Sequence, residues 1–119
     1  MLEGLAGRRL LILLDNGLLD DATRRVLEAA GSEFEVATGD RGRTLLKEPG
    51  FSGAIIDIDI EASIAVSLAE KLEKKSIPFV FALNEGAPGR ACRFSIYRLC
   101  PEPAELEAIS NRLFPSESQ

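Results

Sequence analysis

The sequence predicts one α/β domain with a doubly wound parallel β-sheet. Three observations lead to this prediction: the length of 119 residues, a hydrophobic content of 45%, and short apolar runs that alternate about five times with amphipathic segments. Parallel strands that are covered on both faces are apolar throughout, and their connections contain helices. The alternation therefore indicates right-handed strand–helix–strand units.

The first half of the chain predicts three strands and two helices. Asp15-Asn16-Gly17 ends the first apolar run, and Gly31 follows a helical pattern as a C-terminal cap would. Pro49-Gly50 ends a weaker helix. The predicted elements are strand Arg9–Leu14, helix Leu18–Ala30, strand Phe34–Ala37, helix Arg41–Glu48 and strand Gly53–Ile58.

The second half adds two strands and a last helix. The predicted elements are helix Ser63–Lys75 with a solvated charged face, strands Ile77–Ala82 and Phe94–Leu99, and a helix that Pro103 opens. Because Gly86, Pro88 and Gly89 lie between the fourth and fifth strands, we expect a fourth helix that is short or missing. The predicted domain is 1–119, with a core of about 8–114 and a polar tail, 115–119.

Composition excludes several classes of function. The net charge is −5 and the basic cluster of Arg41, Arg43 and Lys47 is small, so we expect no nucleic-acid partner. The longest apolar run, Leu10–Leu14, is too short for a membrane span or a signal peptide, which makes cytoplasmic the default location. Since the chain has no histidine, it contains no Ser-His or Cys-His nucleophile and no phosphohistidine relay.

Three carboxylates follow two of the predicted strands. Asp15 follows the first strand, and Asp57 and Asp59 end the third. In the flavodoxin-like strand order 2-1-3-4-5 these strands are neighbours, and ligands of such sheets lie beyond the carboxyl ends of the strands. The three carboxylates are therefore predicted to meet at the edge where a ligand is expected.

In these residues the chain resembles the receiver domain of bacterial two-component response regulators, over nearly all of its length. It is most similar to the subgroup named for a Phe-Ala-Thr-Gly motif after the fourth strand, where residues 78–86 here read PFVFALNEG. The resemblance implies that Asp57 is the position that accepts a phosphoryl group from a histidine kinase. It also implies a weak Mg²⁺ site formed by Asp15, Asp57 and the backbone carbonyl of Asp59.

Several positions depart from the pattern of that family. Leu14 replaces one member of its acidic pair, Leu83 replaces its switch Thr or Ser, and Cys100 replaces its lysine. Tyr97 matches the aromatic switch position but lacks the usual hydroxyl partner. Phosphoryl transfer depends on charge neutralisation, so these losses predict impaired or absent phosphorylation at Asp57.

Simpler interpretations remain open for each site residue. Asp57 could be a strand-end carboxylate that accepts backbone N–H bonds from the next loop, and Asp15 could cap a helix or stabilise a turn. Asp59 could contribute backbone alone, and Tyr97 could be an ordinary strand aromatic. Candidate counter-charges for the acidic site are Arg90, Arg93 and Arg98.

The resulting hypothesis is a stand-alone, degenerate receiver domain that acts in phosphorelay signalling and is not an enzyme. As the resemblance implies, it would dock on a histidine kinase or a downstream effector through its fourth and fifth helices and fifth strand. The same surface could form a homodimer. Two alternatives are a small Toprim-like Mg²⁺ enzyme that uses the Asp57-x-Asp59 pair, and a flavin carrier with the same strand order.

Overall fold

The computed structural model describes residues 3–84 and 97–115. Within these ranges a 3₁₀ turn at Glu3–Leu5 precedes five strands and four helices. The strands are β1 (Arg9–Leu13), β2 (Glu33–Ala37), β3 (Gly53–Asp57), β4 (Phe79–Asn84) and β5 (Tyr97–Leu99). The helices are α1 (Asp21–Ala29), α2 (Gly39–Leu45), α3 (Ala62–Lys74) and the C-terminal helix α4 (Pro103–Leu113).

The five strands form one parallel sheet in the order β2-β1-β3-β4-β5. This confirms the predicted doubly wound, flavodoxin-like topology. In the register, Leu13 pairs with Ile56 and Asp57 with Ala82, so β1, β3 and β4 end at one edge of the sheet. That edge carries the candidate site.

Each face of the sheet has its own apolar core, because successive side chains of a strand point to opposite faces. Leu10 and Ile12 pack in a cluster with Leu27 of α1 and Leu106 of α4. A second cluster on the other face contains Leu13. It is completed by residues of and near α2 and α3, which are Leu46, Ile60, Leu68 and Leu72.

Two elements begin later than predicted. The first helix starts at Asp21 rather than Leu18, because the carboxylate of Asp20 accepts the N–H of Thr23 at 3.2 Å and caps the helix. The fourth strand starts at Phe79 rather than Ile77, since the Ile77 N–H donates to the Leu72 carbonyl at 2.9 Å and closes the end of α3. The predicted fourth helix and the start of the fifth strand at residues 94–96 lie outside the described residues.

Candidate functional site

The candidate site is centred on Asp57, the last residue of β3. Asp57 is only 3% exposed, and both of its carboxylate oxygens accept backbone hydrogen bonds. Oδ2 accepts the N–H of Asp15 and Oδ1 accepts the N–H of Asp59, each at 3.0 Å. The carboxylate therefore joins the loop after β1 to the loop after β3, as in the simpler of the two interpretations of this residue.

The chain after β3 turns sharply, and this turn holds the Asp57 carboxylate in place. The Ile60 N–H donates to the Asp57 carbonyl at 3.1 Å, and the Ile58 N–H donates to the Ala82 carbonyl of β4 at 3.0 Å. A strand-end aspartate that accepts the N–H two residues later is a common turn arrangement. Ile60 is buried in the core under α3, so packing fixes the far end of the turn.

Asp15 contributes its backbone to this arrangement, while its side chain is exposed. It lies in a turn in which the Gly17 N–H donates to the Leu14 carbonyl at 3.3 Å and Gly17 has a φ of +71°. Asp20, not Asp15, caps α1, so the capping interpretation of Asp15 is wrong for this helix. The side chain that accepts an N–H in the turn is that of Asn16, whose Oδ1 accepts the Leu18 N–H at 2.9 Å.

Asp59 is half-buried, and its N–H is the contact that it makes with Asp57. Among residues 3–84 and 97–115, no group of three or more His, Cys, Asp and Glu side chains could hold a metal ion. The Mg²⁺ set implied by the resemblance needs only two carboxylates, Asp15 and Asp57, and the Asp59 carbonyl. Because each Asp57 oxygen already accepts an N–H, a metal there would depend on the remaining lone pairs and on water ligands.

The three positions that depart from the receiver pattern are buried, uncharged residues in or directly after strands of the sheet. Leu14 follows β1, Leu83 is the residue of β4 after the Asp57 partner Ala82, and Cys100 follows β5; all three are buried. Leu83 therefore lies inside β4, whereas the sequence placed it after the strand. Within the described residues, no lysine or arginine forms an ion pair with Asp57.

The remaining predicted residues occupy β5 or lie outside the described residues. Tyr97 is half-buried, pairs with Ala82 in the register, and packs against the core cluster under α1 and α4. Arg98 forms an ion pair with Glu105 of α4 at 3.9 Å. The other two candidate counter-charges, Arg90 and Arg93, are outside the described ranges.

The sequence underestimated the basic surface of the molecule. The sequence predicts a small basic cluster that includes Arg43 and Lys47, and an ordinary solvated face for the lysines of α3. In the structure these residues line one common groove, which Arg41 does not line. The helical spacing of Lys71, Lys74 and Lys75 could have indicated a shared face, but the contact between α2 and α3 that completes the groove is tertiary.

Comparisons with known proteins bear on the fold. No known family model matches the chain, and no curated protein matches it in sequence. Among solved structures, the response regulator PhyR from Brucella abortus matches with a TM-score of 0.62 and 20% sequence identity. The match covers 94% of this chain and 50% of that one, so this chain spans half the length of PhyR.

This likeness confirms that the chain has a receiver-like fold, as the resemblance in its motifs implies. At 20% identity the match carries the fold alone. No helix in the described ranges is long and apolar enough to cross a membrane.

Proposed function

We propose that this chain is a receiver-like signalling module that acts by binding other proteins, and that phosphorylation of Asp57 is impaired or absent. One observation carries the proposal: the Asp57 carboxylate, which the resemblance to receivers assigns as the phosphoacceptor, is buried, with each oxygen hydrogen-bonded to a loop backbone. This arrangement gives the carboxylate a structural role that needs no phosphoryl group.

The surroundings of Asp57 support impaired phosphoryl transfer. The transition state spreads negative charge over the phosphoryl oxygens, and a metal and a cation normally offset that charge. Here Cys100 supplies no cation, Leu83 supplies no hydroxyl and Leu14 supplies no metal-binding carboxylate, and all three are buried. A Mg²⁺ ion held by Asp15, Asp57 and the Asp59 carbonyl is therefore expected to be weakly bound.

The resemblance to receivers also suggests where a partner docks. Receivers use their fourth and fifth helices and fifth strand, and the described elements that would form such a surface here are β5 and α4, which pack together. A histidine kinase or a downstream effector is the expected partner, and a second copy of this chain is an alternative on the same surface. We place such a module in the cytoplasm.

Beryllofluoride, which mimics an aspartyl phosphate, tests this proposal. The full chain is incubated with Mg²⁺ and beryllofluoride, and its oligomeric state is measured by light scattering before and after. We expect the same oligomeric state in both samples and in the Asp57→Asn control. A stoichiometric adduct on Asp57 that changes the oligomeric state, or the affinity for a partner, would show a working phosphorylation switch and would overturn the proposal.

A further inference from the structure

A groove with strongly basic walls lies between the C-terminal ends of α2 and α3, on the face of the sheet where these two helices pack. Its volume is about 340 Å³, within the range of small-ligand sites. The residues that line it are Arg43, Leu46, Lys47, Lys71, Lys74 and Lys75.

The groove contains every lysine of the chain. The sequence has four lysines, and all four line this cleft, although the net charge of the chain is −5. All four side chains are exposed at the groove, as is that of Arg43. Five cationic side chains therefore surround one small groove, although the chain as a whole is acidic.

The partial negative charges at the two helix C-termini offset only part of the positive charge in the groove. The C-terminus of a helix carries about half a negative charge, so two helix ends offset about one of the five cations. Asp40 neutralises Arg43 through a 2.6 Å ion pair. Glu48 pairs with Arg9 at 4.0 Å. Glu70 and Glu73 also lie on the last turns of α3, but neither lines the groove. Within residues 3–84 and 97–115 the four lysines form no ion pair, so the lining of the groove itself carries an excess of positive charge.

The chemistry of the lining indicates the class of ligand. Leu46 is 1% exposed, so the groove offers no exposed apolar side chain to anchor a peptide. Among the described residues, no aromatic side chain lines it, so this part of the chain offers no platform on which a base could stack. A long polyanion would also meet the net negative charge of the rest of the chain. A compact anion with several charges avoids these difficulties and suits the ammonium groups of lysine.

We propose that this groove is a binding site for a compact polyphosphate-type anion, meaning a small molecule with two or more phosphate groups and no base recognition. The site lies between helix ends away from Asp57 and does not depend on its phosphorylation. Failure of this proposal would therefore leave the proposed function untouched, and the reverse also holds.

A titration with inorganic tripolyphosphate tests the site. Calorimetry on the full chain at low salt is expected to show saturable one-to-one binding that weakens as salt rises. The double variant Lys71→Gln/Lys74→Gln is expected to bind about tenfold more weakly, because it loses two of the exposed charge contacts to the anion. The control Arg25→Gln/Arg41→Gln removes the same charge from exposed arginines outside the groove and is expected to keep wild-type affinity.

Amine acylation provides a second readout that does not depend on a variant. Because all four lysines line the groove, tripolyphosphate is expected to slow their modification several-fold, while an added lysine-containing reference peptide is expected to react at an unchanged rate. Peptide mass mapping measures each position. Equal protection of the reference peptide and the four lysines would indicate an effect of ionic strength and would overturn the proposal.

Other anions complete the test. A poly-glutamate peptide and anionic phosphatidylglycerol vesicles are titrated under the same conditions. Weaker binding of both, compared with tripolyphosphate, supports a site for a small phosphate compound. Equal or tighter binding of either one, no heat with tripolyphosphate at millimolar concentration, or equal affinities for the two double variants would each overturn the assignment.

Discussion

The substitution Asp57→Asn tests whether the Asp57 carboxylate stabilises the fold or is itself under electrostatic strain. In the structure the two Asp57 oxygens each accept a backbone N–H at 3.0 Å, and the side chain is 3% exposed. An asparagine keeps one acceptor oxygen and places an NH₂ donor against the other N–H, which then loses its partner. We therefore expect this variant to be less stable than the wild type.

The size of the effect follows from the hydrogen bonds. A bond to a charged acceptor contributes about 1.5–3 kcal/mol, and a buried unpaired N–H costs a similar amount. The substitution also removes a buried negative charge that lies near Asp15 and Asp59, and this gain offsets part of the loss. The net expectation is a decrease of roughly 2 kcal/mol in the free energy of unfolding, or about 8 °C in Tm for a chain of this length.

Urea denaturation followed by circular dichroism measures this difference, with the m-value checked for constancy. The matched control is Asp15→Asn, which also removes one negative charge; because Asp15 contributes its backbone N–H and its side chain is exposed, a change of less than about 0.5 kcal/mol is expected. An Asp57→Asn variant as stable as the wild type, or more stable, would refute the structural role and indicate a carboxylate under electrostatic strain.

Three further substitutions test neighbouring parts of the account. Cys100→Lys places a lysine where the receiver pattern has one and is expected to raise the yield of a beryllofluoride adduct on Asp57, measured by ¹⁹F NMR; an unchanged yield would argue against the counter-charge explanation. Gly42→Ala, normally favourable within a helix, is expected to lower the free energy of unfolding by about 1–3 kcal/mol, because the new Cβ would overlap the Leu13 side chain; increased stability in urea would contradict that packing. Thr23→Val removes a fully buried hydroxyl that has no hydrogen-bond partner among the described residues, so calorimetry is expected to show a Tm equal to or above that of the wild type, and a clear decrease would reveal a partner for the hydroxyl.

The strand order was predictable because the apolar pattern is strong where both faces of the sheet are covered. Every residue of β3 is buried, and four of the five in β1 are, so period and length identify them as central parallel strands. Their right-handed connections then leave few topologies. The edge strand β2 has a weaker pattern, with exposed glutamates alternating with partly buried residues, yet it too lies where predicted.

The element starts were less predictable, because one hydrogen bond decides each of them. Leu18 and Leu19 extend the apolar pattern of α1 toward its N-terminus, but the side chain of Asp20 sets the first helical residue. At the C-terminal end of α3, the N–H of Ile77 donates to a helix carbonyl and is therefore not available for pairing in β4. Several short polar residues compete to cap or turn a chain, and the sequence does not show which one succeeds.

The candidate site was predictable in position and only partly in its contacts. Placing Asp15, Asp57 and Asp59 at one edge needs only strand order, which the sequence supplies. That Asp15 and Asp59 reach Asp57 through their backbone N–H groups depends on loop geometry. The basic groove was missed for a related reason, since it forms only where α2 meets α3.

The central claim is that Asp57 occupies a phosphoacceptor position without working efficiently as one. Intact mass spectrometry after incubation with Mg²⁺ and acetyl phosphate tests it most directly, with Asp57→Asn as the blank. The account predicts that at most a small fraction of the wild-type chain gains a phosphoryl group at Asp57. Rapid, stoichiometric phosphorylation of wild type that is lost in Asp57→Asn would contradict it.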